Sequence, residues 1–318
     1  MVESVIYCRP QLPTELLREV IHHYACSVPS REPSEPRKSY KPIWNDYQPL
    51  TLTSRAMRQL ALEVWFEVYY AQSPEDLSDV WPEMSLWTRE LHCVELGTDT
   101  QILPVQWSLR AFRRLRKLRI DLDPRQSNAM LLMRFDHPRS VASKLQELEV
   151  HDISWPSPMI MRFISEAFPG LRVLKLSHDL IWCNLCNICR FATFKDPPPQ
   201  EIVYDKFAGL PQHHAMFLMP LTQLHTVHFT IGYGLGGSTS ISKSNNALWT
   251  GECDACMDIM YAGEGFQSDW VERKKVLERP PSLKRVHWHF RYKSVDDVIM
   301  DLEDEPEGAP AQADEDDE

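Results

Sequence analysis

Five of the chain's eight cysteines fall in two compact groups, Cys183-x-x-Cys186-x-x-Cys189 and Cys253-x-x-Cys256. Thiols two residues apart can face into one tight turn, and two such turns supply the four sulfurs that structural zinc takes in tetrahedral array. Five thiols offer more than one set of four. Equal spacing favours Cys186 and Cys189 with Cys253 and Cys256, and Cys183 is the alternative ligand. His178, His213 and His214 are reserve donors. Two other readings compete: buried thiols acting as small hydrophobes, and a redox C-x-x-C. The redox reading lacks the early βαβ unit with a helix-opening C-x-x-C that thioredoxin-like chemistry uses. Zinc makes a strict geometric demand: sulfurs about 2.3 Å from one ion lie about 3.7 Å apart, so groups separated by more than about 8 Å exclude it. Cys8, Cys26 and Cys93 stand singly and read as structural.

More than sixty residues separate the two groups, so the fold must bring them together. A repeat does this. The pattern L-x-x-L-x-L, with conservative replacements, recurs at Leu91/Val94/Leu96, Leu115/Leu118/Ile120, Leu145/Leu148/Val150 and Leu171/Leu174/Leu176. Two further copies follow after longer gaps, Leu224/Val227/Phe229 and Leu283/Val286/Trp288. The shorter intervals match leucine-rich repeats, in which each copy is a short strand and the intervening segment is helical or irregular. Met159 to Phe168, apolar at helical spacing and followed by Pro169-Gly170, is such a helix. The expected fold is α/β: a leucine-rich-repeat solenoid over residues 73–298, with parallel strands and helices on the outer face. The cysteine groups lie in the two long intervals, where zinc would clip insertions that have little core of their own.

Alternate strand residues point away from the core. They are Glu95, Arg119, Asp121, Glu149, His151, Lys175, Ser177, His228, Thr230, His287 and His289, a mixed-charge face suited to a protein partner or simply to solvent. From this set Arg119, Asp121, Glu149, His151, Lys175, His228, His287 and His289 are the candidate substrate-binding residues. The histidines could make binding respond to pH between about 5 and 8.

Upstream, Leu12, Leu16, Leu17, Val20 and Ile21 have helical spacing, with Pro13 in the first turn, where a missing N–H costs nothing. A second helix is expected from about Thr53 to Tyr70, capped by Thr53 or Ser54, with Met57, Leu60, Ala61, Val64, Trp65 and Val68 on one stripe. Residues 27–49 carry five prolines and read as an inserted loop. The segments Leu12-Pro13-x-Glu15-Leu16-Leu17, Leu52-Thr53-Ser54-Arg55, Leu60-Ala61 and Trp65-Phe66 resemble the two halves of an F-box, split here by the insert. The resemblance implies that residues 1–72 dock the SKP-type adaptor of a cullin ubiquitin ligase through Leu12, Pro13, Leu16, Leu17 and Ile21. Most of the chain also resembles a fungal family of F-box-like leucine-rich-repeat proteins. The matching stretches are His178-Asp179-Leu180, Leu248-Trp249-Thr250-Gly251-Glu252-Cys253 and Trp270-Val271-Glu272-Arg273-Lys274-Lys275. That likeness implies an architecture and no catalytic activity.

Composition narrows the remaining classes. At 43% hydrophobic and 25% charged the chain is that of an ordinary globular protein. No apolar run approaches the length of a membrane span, and Met1 to Pro10 lacks the pattern of a secretory signal. A cytoplasmic or nuclear protein with reduced thiols is expected. The net charge of −11 owes most to residues 299–318, an acidic tail expected to be disordered. The near-neutral body gives no electrostatic reason to expect nucleic acid, and the run Arg110, Arg113, Arg114, Arg116, Lys117, Arg119 reads as a solvated surface. Gly232-Tyr233-Gly234-Leu235-Gly236-Gly237 lacks the lysine and following helix of a phosphate loop and reads as a surface loop. No nucleophile elbow, metalloprotease or kinase motif is present, so the sequence reads as a binding protein and not an enzyme. Trp155, Trp182, Trp249, Trp270 and Trp288 read as packing residues.

Overall fold

The computed structural model describes residues 12–27, 41, 43–78, 80–94, 107–122, 135–136, 139–205, 209–238, 240–241 and 249–294. Residues 1–10, Glu95, Leu96, most of the proline-rich insert and the acidic tail lie outside these, as do the expectations that fell on them.

The molecule is mixed α/β, built on a ten-stranded, mostly parallel sheet. Strands β1 (Val68–Ala71), β2 (Glu90–Val94), β4 (Lys117–Asp121), β6 (Glu147–Ile153), β7 (Val173–His178), β11 (Thr226–Leu235) and β12 (Arg285–Tyr292) lie side by side in chain order, each parallel to the next. The six sequence copies therefore correspond to six adjacent strands. Their inward residues, among them Leu118, Ile120, Leu148, Val150, Leu174, Leu176, Val227, Phe229, Val286 and Trp288, form one core. The short strands β3 (Trp107–Ser108) and β5 (Phe135–Asp136) pair with each other beside it.

The turns into the strands repeat a single hydrogen-bond device. Arg116 and Lys117 both donate their N–H to the carbonyl of Arg89, Gln146 and Glu147 to that of Arg116, and Arg172 and Val173 to that of Gln146. His225 and Thr226 then donate to Arg172, and Lys284 and Arg285 to His225. Arg89 and Glu90 donate to Glu67 in the same manner, so the series begins one strand earlier than the sequence pattern did. The register also moves the first copy. Leu91 lies opposite Leu118 and Cys93 opposite Ile120, so Leu91 is the middle position of its copy and buried Thr88 takes the first. Thr88 satisfies its hydroxyl on the carbonyls of Phe66 and Met84, which lets a polar residue stand where the other copies have leucine.

Helices α4 (Pro82–Trp87), α5 (Arg139–Ala142), α6 (Pro158–Ala167) and α7 (Gln212–Leu218) fill the connections. The two long connections carry more. Between β7 and β11 lie a hairpin, β8 (Leu180–Trp182) with β9 (Cys189–Phe194), and strand β10 (Glu201–Asp205), which crosses over to pair antiparallel with β12. Between β11 and β12 lie α8 (Asp254–Ala262) and α9 (Glu264–Val276). The glycine-rich segment does not form a loop at once: β11 runs on to Leu235, pairing with both β12 and β9. At Gly232 a Cβ would come within 2.8 Å of the Asp179 carboxylate, so glycine serves close packing there.

At the N-terminus α1 (Thr14–Ser27), α2 (Trp44–Leu52) and α3 (Arg55–Trp65) enclose a second, small core of Ile21, Tyr47, Ala61 and Val64. Ser54 caps α3 by accepting the Met57 N–H. The expected second helix is thus shorter than the stripe suggested. Its last residues, from Val68, become β1, because pairing with β2 satisfies their backbone better than a further helical turn. The end of the insert is helical despite Pro49: Trp44 and Tyr47 pack on Trp65 at 4.8 and 4.9 Å between ring centroids.

Candidate functional site

The cysteine groups meet where the two long connections touch. The β8–β9 hairpin closes with the Cys183 N–H donating to the Ile188 carbonyl, at 3.0 Å, and Asn187 takes a left-handed backbone at φ 57°. Asparagine tolerates that conformation better than most residues. The turn therefore presents Cys183 and Cys186 together, while Cys189 enters β9 opposite Trp182. On the other side Cys253 is the N-cap of α8 and Cys256 lies in its first turn, where exposed backbone N–H groups favour negative charge. Thr193 donates its hydroxyl to Asp254 at 2.9 Å, fixing the start of α8 to β9.

The Sγ atoms of Cys183, Cys186, Cys253 and Cys256 all lie within 4.8 Å of one another, with Cys186 and Cys253 at 3.9 Å. That spacing is far beyond a disulfide bond of about 2.05 Å and suits four sulfurs about one ion. The four form a possible metal site. The set differs from the one favoured by spacing: Cys183 takes the place assigned to Cys189. Equal C-x-x-C spacing was a poor guide because the hairpin turn falls between Cys186 and Cys189 and directs the latter along the strand. Burial pushes the Cys183 thiol up to about 11 and the Cys189 thiol up to about 12. Burial also opposes ionisation of Cys186, but hydrogen bonds from the Cys183 thiol and the Ile188 backbone outweigh it and lower that thiol overall. A cation among the four sulfurs would favour thiolates there.

The approach of α8 is set by a buried knot. The Glu252 carboxylate, wholly buried, accepts from the Thr250 N–H at 2.5 Å and the Thr250 hydroxyl at 2.7 Å, with Lys274 Nζ at 3.9 Å. Trp249 donates its indole N–H to the Glu252 carbonyl, and Gly251, at φ 95°, lies 3.2 Å from the Trp288 ring by its notional Cβ. The reserve histidines go elsewhere. His178 is buried beneath the Leu180 carbonyl, and His214 on α7 is buried 5.7 Å from the Phe229 ring; burial lowers the first to about 4 and the second to about 3. His213 is also on α7.

The polar face of the sheet is less open than expected. Arg119 is 0% exposed and forks onto Asp121 at 2.7 and 3.2 Å. Asp121 is likewise buried, so neither lies on a free surface. Glu149 accepts from His151 at 2.6 Å and has Lys117 and Lys175 each 3.7 Å away. Cross-strand register produced this: Arg119, Glu149 and Lys175 are direct neighbours in one row. The same row continues to His228 and His287, whose rings are stacked at 4.3 Å. His289 is beside them, and Glu201 of β10, absent from the sequence reading, accepts from His287 Nδ1 at 2.6 Å. Only the antiparallel return of β10 puts it there, and nothing in strand spacing signals that return.

Leu12, just before α1, and Leu16 and Val20 on it are 59%, 51% and 60% exposed and follow one another at four-residue steps. Pro13 is exposed and Leu17 half-buried, but Ile21 is buried in the small core. The basic run divides. Arg113, Arg114 and Arg116 join Arg89, Lys144 and Arg172 around an open recess of about 490 Å³ at the strand starts, whereas Arg119 lies on the polar face. Of the tryptophans, Trp249, Trp270 and Trp288 are buried but Trp155 is exposed. No described helix is long and apolar enough to cross a membrane. Comparison of the chain with family models, curated proteins and solved structures gave no match.

Proposed function

We propose that the chain is a protein-interaction module, the substrate receptor of an SCF-type cullin ubiquitin ligase, and not an enzyme. In this reading α1–α3 are an F-box-like unit that docks a SKP-type adaptor, and the parallel strands with their repeated turns are a leucine-rich-repeat solenoid that takes a protein substrate. The observation that carries it is the line of Leu16, Val20 and Tyr24 on α1, preceded by Leu12 just before the helix, which leaves one side of α1 apolar and exposed. A helix that presents such a stripe to water suits a groove on a partner. His151, Lys175, His228, His287 and His289 are the half-open candidates left for a substrate. Cys183, Cys186, Cys253 and Cys256 hold a structural zinc ion that joins the two long connections, consistent with a cytoplasmic or nuclear protein whose thiols are reduced. Affinity capture with a purified SKP-type adaptor tests the reading. Recovery of wild type and loss with Leu16→Asp support it, and failure to recover wild type overturns it.

One observation favours a second reading, a zinc-stabilised repeat scaffold with no ligase role. The charges of the polar face are largely paired with one another, as at Arg119 and Asp121, and such a face needs no substrate. Zinc binding without adaptor recovery is the outcome that selects it.

A further inference from the structure

Outside the cysteine cluster, the described residues bring a second set of metal-ligating groups together. His228 of β11 and His287 of β12 are paired in register, and His289 follows two residues along the same face. One ring nitrogen from each lies within 4.8 Å of the other two, and His228 Nδ1 stands 3.5 Å from His289 Nε2. Nitrogens that share one ion at 2.0–2.1 Å lie about 3.3 Å apart in tetrahedral array, so the pair needs almost no movement. Glu201, paired in register with His289, places Oε1 2.6 Å from His287 Nδ1 and 3.5 Å from His289 Nε2.

We propose that His228, His287 and His289, supported by Glu201, form a second metal site that takes a divalent transition-metal ion such as Ni²⁺, Zn²⁺ or Co²⁺. Three imidazoles are a donor set these borderline ions prefer, and the set has no thiolate and lacks the oxygens that calcium or magnesium requires. Glu201 has the part that carboxylates have behind ligating histidines. By accepting the Nδ1–H of His287 it leaves Nε2 as the bare, ligating nitrogen and holds the ring in orientation. Backbone pairing on both sides of β12 fixes the Cα positions, so only side chains need adjust. His287, now stacked on His228 with 17° between the planes, must turn to bring a shared ion into its ring plane. Lys175, the neighbour of His228 on β7, faces the group, and its Nζ is engaged with Glu147 at 2.7 Å. Three protein nitrogens leave a coordination position facing outward, open to water or to a donor from a partner.

The site is tested with untagged full-length chain, first loaded with one equivalent of Zn²⁺ so that the tighter cysteine cluster is filled, then titrated with Ni²⁺ by calorimetry. The expected result is one further equivalent bound, weakened about tenfold or more in His287→Asn and in His228→Asn, and several-fold in Glu201→Gln. A His22→Ala/His23→Ala control binds as wild type. No uptake of Ni²⁺ by wild type, or undiminished uptake by His228→Asn/His287→Asn, overturns the proposal. A readout that needs no substitution is paramagnetic broadening of imidazole resonances by sub-stoichiometric Ni²⁺. The site requires His228, His287 and His289 to broaden before His178 and His214, and the reverse order contradicts it.

Discussion

Glu149 is buried on the polar face, and its ionisation ties that face to pH. Burial by itself would raise its carboxyl, but His151, Lys117 and Lys175 outweigh burial and hold it at about 2. The folded value lies below the ordinary one of 4.5, so the stabilisation is complete above pH 4.5 and is lost as pH falls toward 2. The difference corresponds to about 3 kcal/mol at neutral pH. His178 and His214 act higher on the scale: buried and neutral, they resist protonation until about pH 4 and 3, while the unfolded chain takes up protons from 6.5 downward. Urea unfolding as a function of pH is therefore expected to weaken in two stages, the first beginning near 6.5. Glu149→Gln should flatten the second stage and leave the first. A profile level from pH 7 to 3 would contradict both assignments. At the same scale Cys253→Ser should abolish metal binding at the cluster and Cys189→Ser should leave it intact, read by elemental analysis. The thiol count and spacing were legible in the sequence, whereas the choice between Cys183 and Cys189 was not. It depends on the left-handed turn at Asn187, which no spacing rule encodes.

At the scale of elements, the strand-entry turns pack so closely that one of them admits only glycine. A Cβ on Gly170 would lie 2.2 Å from the Ser143 carbonyl oxygen and 3.2 Å from that of Leu145, both backbone atoms of the preceding turn. Gly170→Ala is expected to cost about 2 kcal/mol or more, measured by chemical denaturation, and an unchanged midpoint would refute the close approach. Helix α1 offers a paired comparison. Ile21→Asp places a charge in the core with Tyr47, Ala61 and Val64 and should melt the three-helix unit, whereas Leu16→Asp adds a charge at an exposed position and should leave its melting unchanged. Tryptophan fluorescence of Trp44 and Trp65 reports the difference. The elements were legible where one periodicity ran uninterrupted, as in α1 and α6. They were misread where tertiary pairing overrode local preference: Val68–Ala71 left the helical stripe to become β1, and Trp44–Leu52 became helical around a proline. The first repeat was displaced because Thr88, a polar residue satisfied by two carbonyls, hid the leucine position.

For the whole molecule, the order of the strands follows the chain so closely that the parallel sheet could be anticipated from the leucine pattern alone. The two long connections could not. Strand β10 leaves chain order to pair antiparallel with β12, and this return creates the Glu201–His287 contact. The proposed zinc ion would hold these connections together, so its removal should act on their part of the fold first. Chelation is expected to lower the thermal midpoint and expose amides of α8, the β8–β9 hairpin and β9 to hydrogen exchange, while β4, β6 and their core remain protected. Uniform loss of protection would show that the cluster holds the entire sheet. The proposed ligase role rests on a different surface, the apolar line of α1. The most direct measurement is calorimetric titration of a purified SKP-type adaptor into the full-length, zinc-loaded chain. Saturable one-to-one binding, weakened about tenfold or more by Leu16→Asp with the thermal midpoint unchanged, is the predicted result. Absence of binding by the folded wild type, or binding indifferent to Leu16→Asp and Val20→Asp together, would contradict it.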